Sequence, residues 1–174
     1  KVPKLKYLEE LTNRKIYVFG TNINFVSKYI EPIPIGIENA HHKKNGHLDY
    51  YNPLKIANCK KEKNNIIFAS FAVNTEVRKN YERILDKYKI DNINNLCLDE
   101  YRKRLNDSYF IISPPGNGID CHRTWEALYL RTIPIVIRSV TMNEFSDLPI
   151  LFIDKWEDLS YNKLLDFYDK NDIN

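Results

Sequence analysis

The feature that most restricts this chain is the regular alternation of short apolar runs with amphipathic stretches from residue 65 to residue 168. Asn65-Ile66-Ile67-Phe68-Ala69-Ser70-Phe71 reads as a strand. The next stretch, 75–88, carries Val77, Tyr81, Ile84, Leu85 and Tyr88 at spacings of three and four, the stripe of an amphipathic helix. Asn74 stands where a side-chain acceptor caps such a helix. The alternation continues with a helix over 99–106, a strand over 109–113, a helix over 120–131, a strand over 133–137, a short helix over 141–146, a strand over 150–153 and a closing helix over 159–168. Strands that alternate with helices predict βαβ units, hence an α/β fold with a Rossmann-like, mostly parallel sheet and flanking helices.

Residues 1–60 differ in character. They hold one short apolar run, Lys15 to Gly20, an Asn-spaced stretch over 21–24, and Ile33-Pro34-Ile35-Gly36-Ile37, where Pro and Gly interleave with apolar residues in the manner of an edge strand or extended loop. Residues 41–65 are polar and include the charged run Lys60 to Lys63, as a surface loop or linker does. The chain therefore divides into a short N-terminal segment, 1–60, and one α/β domain, 61–174.

Composition excludes several function classes. With 174 residues, 43% of them hydrophobic, and a net charge of +3, the chain is too apolar and too nearly neutral for disorder and too weakly basic for a polyanion binder, so no nucleic acid is expected. No apolar run approaches the roughly 18 residues that span a bilayer, and the first residues, which do not begin with Met, lack the apolar core of a secretion signal. Cys59, Cys97 and Cys121 are an odd, widely spaced set without a CxxC pair, which favours a reducing, cytoplasmic setting, with a membrane surface left open.

In an open parallel sheet, ligands bind outside the carboxyl ends of the strands. The most unusual strand-to-helix junction is Ser113-Pro114-Pro115-Gly116-Asn117-Gly118-Ile119-Asp120. Gly116 and Gly118 let a ligand approach the backbone, Asn117 tolerates left-handed geometry, and Asp120 is placed to cap the following helix. Free N–H groups and the positive helix end favour an anion there, phosphate first. A bare structural turn explains the same glycines.

Within that helix Cys121, Trp125, Leu128 and Tyr129 form an apolar arc, while His122, Arg123 and Glu126 share a polar one. Leu130 lies near the polar arc, as it would if another part of the chain covered that face. Arg123 offers a planar fork of donors to a diphosphate, and Glu126, one turn on, suits the vicinal diol of a ribose. An ordinary i,i+3 ion pair is the alternative for these two. Asn74, Thr75 and Arg78 at the preceding junction, and Ser139 after the 133–137 strand, are further donor-binding candidates. A capping motif and a solvated arginine account equally for the first three.

Other reactive residues carry less. His41, His42, His47 and Cys59 match no zinc spacing and read as loop residues. Cys121 is expected as a small buried residue rather than a nucleophile, Trp125 as core, and Trp156 as the start of a surface turn.

The run from Ser113 to Leu128, followed by Ile133-Pro134-Ile135-Val136, resembles the signature of exostosin-like glycosyltransferases, approximately Pro-Arg-Gly-Asn-x-x-Asp-Thr-x-Arg-x-Trp-Glu-Ala-Leu and then Ile-Pro-[Ile/Val]. Weaker echoes lie at residues 33–39 and 68–78. The resemblance implies the C-terminal, donor-binding half of a GT-B enzyme, with residues 1–60 as the remnant of an acceptor-side domain. It implies transfer of a sugar from a nucleoside-diphosphate sugar to a glycan or other hydroxyl acceptor. Gly116 and Asn117 would form the loop, Arg123 would hold phosphate and Glu126 the ribose. Pro115 stands where many members have Arg, Cys121 where most have Thr, and Arg131 where Gly is usual. No cofactor is implied, and no Asp-x-Asp pair calls for a metal. The catalytic base is left unassigned, commonly coming from the other domain, with His122 as the candidate in this chain for touching the donor sugar or phosphate. A non-catalytic nucleotide- or glycan-binding module derived from such an enzyme is the alternative. A domain with a vestigial loop and no nucleotide at all is another.

Overall fold

A computed structural model describes residues 3–41, 46–52 and 63–171, apart from the side chain of Arg83. The boundary expected at residue 60, His42 and Cys59 lie outside the described residues. The main sheet has four parallel strands in sequence order: β3 (Asn65–Ala69), β4 (Ser108–Ile112), β5 (Ile133–Ile137) and β6 (Leu151–Ile153). The register runs Ala69 to Ile112, Ile112 to Ile135 and Ile135 to Leu151. A second, two-stranded parallel sheet pairs β1 (Val18–Gly20) with β2 (Ile30–Pro32), and α1 (Leu5–Asn13) packs on it through Leu8, Ile23 and Ile30. Neither α1 nor β2 is visible in the apolar pattern. The 33–37 segment is not a strand but a loop, which leaves β2 and reaches Asp120 beside the four-stranded sheet.

Alternate residues of the main strands face opposite ways, as a pleated backbone requires. Phe110, Ile112, Ile133, Ile135, Leu151 and Ile153 meet Tyr81 and Leu85 of α2 (Glu76–Tyr88) and Leu164 of α6 (Tyr161–Asn171). Phe68 and Ile111 meet Leu105 of α3 (Leu98–Asn106) and Ala127 of α4 (His122–Tyr129). Val136 packs with Met142 of α5 (Val140–Asn143) on that second face. Helices thus cover both faces, which is why these strands are apolar almost throughout.

One connection decides where a ligand would sit. After α2 the chain returns to the outer edge of β3, where Asn92 makes a parallel bridge to Ala69, and only then crosses through α3 to β4 on the other edge. The direction of winding therefore reverses between β3 and β4, the topological switch point at which open α/β sheets bind ligands.

Several local expectations change. Thr75, not Asn74, caps α2, its Oγ1 accepting from the Arg78 amide at 3.3 Å. Asn74 is exposed. The helix expected over 120–131 starts at His122 because Asp120 is drawn into the interior instead of capping it. On α4, Tyr129 is exposed and its place on the buried side is taken by Thr124, Ala127 and Leu130. The polar side of α4 is partly covered by the N-terminal part of the chain, in line with the position of Leu130: Gly36 meets His122, and Tyr51 of a short 3-10 turn (Leu48–Tyr51) packs with Leu130. Trp156 does start a turn, the 3-10 turn Trp156–Asp158, but its side chain is not at the surface: it is buried edge-on against Tyr81, ring centres 5.0 Å apart.

Candidate functional site

A cleft of about 390 Å³ opens at the switch point, at the carboxyl ends of the strands. Its walls are the segment after β3 (Ser70, Phe71, Ala72), the segment after Asn92 (Asn94 to Leu96), the start of α4 (Cys121, His122, Arg123, Glu126), and Arg78, Tyr101 and Glu38. The wall after β3 is held from outside: the Asn92 side-chain amide accepts from the Phe71 N–H and donates to the Phe71 carbonyl, both at 3.0 Å, as a neighbouring strand would. Asn95 adopts a left-handed conformation, φ 61°, which bends the second wall around the cleft.

Two guanidiniums are anchored on this frame. Arg123 Nε donates to the Ser70 carbonyl at 2.9 Å. Arg78 donates from Nε to the Pro115 carbonyl at 3.1 Å and from Nη1 to the Ala72 carbonyl at 3.0 Å. Each guanidinium carbon lies 5.8 Å from the Phe71 ring centre. Burial, and after it the Arg123 charge, lowers the pKa of Arg78. Two like charges held together on carbonyls and over one aromatic ring, with further N–H groups left over, have the chemistry to accept an anion of more than one charge.

Glu126, three residues after Arg123 on α4, is buried and accepts from the Tyr101 hydroxyl at 2.9 Å. Desolvation raises its pKa, opposed by that hydrogen bond and by the charges of Arg123 and His122. The Tyr101 hydroxyl is itself pushed well up by burial and by the Glu126 charge. The Tyr51 hydroxyl is buried near Glu126, and its pKa is raised by burial and by that carboxylate. The carboxylate therefore sits between an apolar interior and the cleft, with acceptor capacity that Tyr101 alone does not saturate.

Of the residues singled out in the sequence, Arg78, His122, Arg123 and Glu126 converge on this cleft, and Cys121 joins them. Others serve the frame. Ser113 is buried and shares hydrogen bonds with Thr124 Oγ1 at 2.9 Å and Cys121 Sγ at 3.2 Å. Asp120 accepts from Trp125 Nε1 at 2.8 Å and from the Ile35 amide at 2.7 Å, clamping the N-terminal segment onto α4. Burial raises its pKa against those bonds. Trp125 is core, as expected. Ser139 caps α5 by accepting from the Met142 amide at 3.1 Å, and Thr75 caps α2.

The glycine turn also differs from its expected geometry. Neither Gly116 nor Gly118 has a positive φ, and Asn117 is exposed without left-handed backbone. The Gly116 amide donates to the Gly118 carbonyl at 2.9 Å, so it is turned into the loop and away from any anion. The glycines are needed for close approach instead. A Cβ on Gly116 would lie 2.5 Å from Arg78 Nη2, and one on Gly118 would lie 2.4 Å from Asn22 Oδ1. Asn22 is buried at φ 58° and accepts from the Asp120 amide at 2.7 Å.

Sequence reasoning missed Glu38, Tyr101 and the 94–98 wall as cleft residues, and Asn22 and Asn92 as their supports. Only the Asn-rich stretches over 21–24 and 92–95 carried a signal, since Asn is the non-glycine residue that most readily takes left-handed or backbone-mimicking roles. Among the described residues no group of three His, Cys, Asp or Glu side chains is placed to hold a metal ion, and no helix is long and apolar enough to cross a membrane. Comparison with known proteins finds no family model that matches the chain and no match among curated proteins.

Proposed function

We propose that the cleft is the donor site of a glycosyltransferase and holds a nucleoside-diphosphate sugar. The observation that carries this reading is the placement of Arg78, Arg123 and the buried Glu126 on one cleft at the winding reversal of the sheet. Two anchored guanidiniums match the two phosphates, and a carboxylate one helical turn further matches a ribose diol, so the spacing suits one nucleoside diphosphate lying along α4. The resemblance of residues 113–136 to exostosin-like enzymes supports the same assignment. Charge developing on the departing diphosphate, as the anomeric bond breaks, would fall on preorganised donors that need no rearrangement. The acceptor would be a glycan or another hydroxyl compound.

The second reading, a non-catalytic nucleotide- or glycan-binding module, is favoured by one observation: the regular elements described before residue 60 are α1, a two-stranded sheet and one 3-10 turn. Tight nucleotide binding without turnover would select it.

A thermal-shift panel of nucleoside diphosphates against wild type, Arg123→Ala and Glu126→Ala tests the donor site. A ligand present at about 100 times its Kd stabilises the native state by about 2.7 kcal/mol, enough to move the melting temperature by several degrees. Wild type is expected to show such a shift with at least one nucleotide and both variants to lose most of it. Variants that respond like wild type would refute the site.

A further inference from the structure

We infer that His122 is the proton acceptor of this cleft, so that the base for the proposed transfer is supplied by this chain rather than by a separate domain. The inference rests on the donor-site reading and adds a role that the reading leaves open. It starts from one hydrogen bond. His122 Nδ1 lies 2.7 Å from the Gly36 carbonyl oxygen. A carbonyl only accepts, so Nδ1 carries the hydrogen and, in the neutral ring, Nε2 carries the lone pair. Nε2 has no hydrogen bond among the described residues, and His122 lines the cleft with Arg123 and Glu126.

The carbonyl that selects this tautomer is itself fixed. Gly36 has φ 68°, a left-handed conformation that a side chain would strain. The residue before it, Ile35, is pinned by its amide to the buried Asp120 carboxylate at 2.7 Å. Asp120, which follows β4, thus sets the backbone that orients the imidazole of α4. A base oriented by a third group is the arrangement expected of a general base, not of a surface histidine.

Charged groups face His122 from each neighbouring element. Arg123 and Glu126 lie on its own helix, Asp120 precedes it, Glu38 comes from the N-terminal segment and Arg78 from α2. The ring thus has carboxyl groups and guanidiniums around it, with the proposed phosphate receptor beside it. In the step, the acceptor hydroxyl gives its proton to Nε2 while its oxygen bonds to the anomeric carbon. The bond from that carbon to the diphosphate oxygen breaks, and its electron pair leaves with the nucleoside diphosphate. The imidazolium, donating to Gly36 throughout, then returns its proton to water.

The test uses water as the acceptor: release of nucleoside diphosphate from uridine, guanosine, thymidine and cytidine diphosphate sugars, followed against pH. In His122→Asn the side-chain amide occupies the Nδ1 position and preserves the bond to Gly36, but no basic nitrogen remains. His122→Gln places its amide at the Nε2 position and serves as the second variant if the first does not fold. The expected result is a wild-type rate that rises with pH along a single-proton limb. Either variant should lose about 100-fold or more of that rate together with the limb, while the melting shift given by the free nucleoside diphosphate persists. A variant that keeps its rate or its limb overturns the assignment. A wild type that binds nucleoside diphosphates but hydrolyses no donor overturns it while leaving the donor site standing. Absence of any nucleotide-induced shift removes both.

Discussion

Two helices begin at the carboxyl edge of the same sheet, one after β3 and one after β4, and they treat their free N–H groups differently. The start of α2 satisfies itself: Thr75 Oγ1 accepts from the Arg78 amide. The start of α4 does not, because its N-cap residue, Cys121, makes no side-chain capping bond, and Asp120, the acidic residue nearest to it, is spent on Trp125 and Ile35. A helix end without a cap leaves polar backbone for water or a ligand. On the proposed reading, the comparison teaches that the anion site is marked less by the glycine turn than by a helix start whose natural capping groups have been drawn away. The α2 junction contributes through Arg78, a side chain that reaches over Gly116 to join Arg123.

The sharpest way to break this comparison is to give α4 the cap it lacks. Cys121→Asp places a carboxylate at an N-cap position of extended backbone, φ −140° and ψ 150°. Capping should add about 0.5–2 kcal/mol of stability in denaturant melts, while the new negative charge beside Arg123 should lower nucleoside-diphosphate affinity by at least about 100-fold, measured by calorimetry. Unchanged affinity would mean that the start of α4 is not the phosphate end of the cleft.

The two glycines separate ligand from frame. Gly118→Ala drives a methyl against Asn22, the buried acceptor of the Asp120 amide, and is expected to cost about 1–3 kcal/mol of stability. Gly116→Ala meets only the far end of Arg78. Its denaturation midpoint should stay near that of wild type, while nucleotide affinity falls by about 10-fold as one guanidinium is displaced, since a hydrogen bond to a charged group contributes about 1.5–3 kcal/mol.

The buried carboxylate on α4 gives a pH test. Because burial raises the Glu126 pKa above the ordinary 4.5, the folded state holds this proton more tightly than the unfolded chain does. Stability from this group is therefore full at low pH and is lost as pH rises from 4.5 through the raised folded value. Glu126→Gln keeps an acceptor for Tyr101 and cannot ionise. Its stability relative to wild type should grow with pH above 4.5 in paired denaturation curves, even as nucleotide affinity drops. A difference independent of pH would contradict the burial of a charge-bearing group at this position. The smallest expected effect is Thr75→Ala, which should cost about 1 kcal/mol through loss of the α2 cap and leave nucleotide affinity within twofold.

Much of the sheet was legible from its period. The four main strands, the helices between them and the closing helix all appear in the apolar pattern, because strands buried on both faces read as continuous Ile-rich runs. The site was legible at the two strand-to-helix junctions, in His122, Arg123 and Glu126 on one helix face and in Arg78 at the start of α2. What escaped depends on distant segments. Asp120 looked like a cap because nothing nearby reveals that Ile35, 85 positions earlier, supplies an amide to it. Tyr129 looked like core because helix period cannot say that Tyr51 would cover the other side. Glu38 and Tyr101 reach the cleft through topology alone, and the reversal at Asn92, a single bridge residue, carries no apolar run to announce it.

Calorimetric titration of wild type and of the double variant Arg78→Ala/Arg123→Ala with uridine, guanosine, thymidine and cytidine diphosphates tests the central claim most directly. The arrangement predicts saturable, one-site binding of at least one of these by wild type and loss of at least about 100-fold in affinity when both guanidiniums are removed from a folded protein. Equal affinity in the two proteins, or no binding by wild type to any of the four, would contradict it.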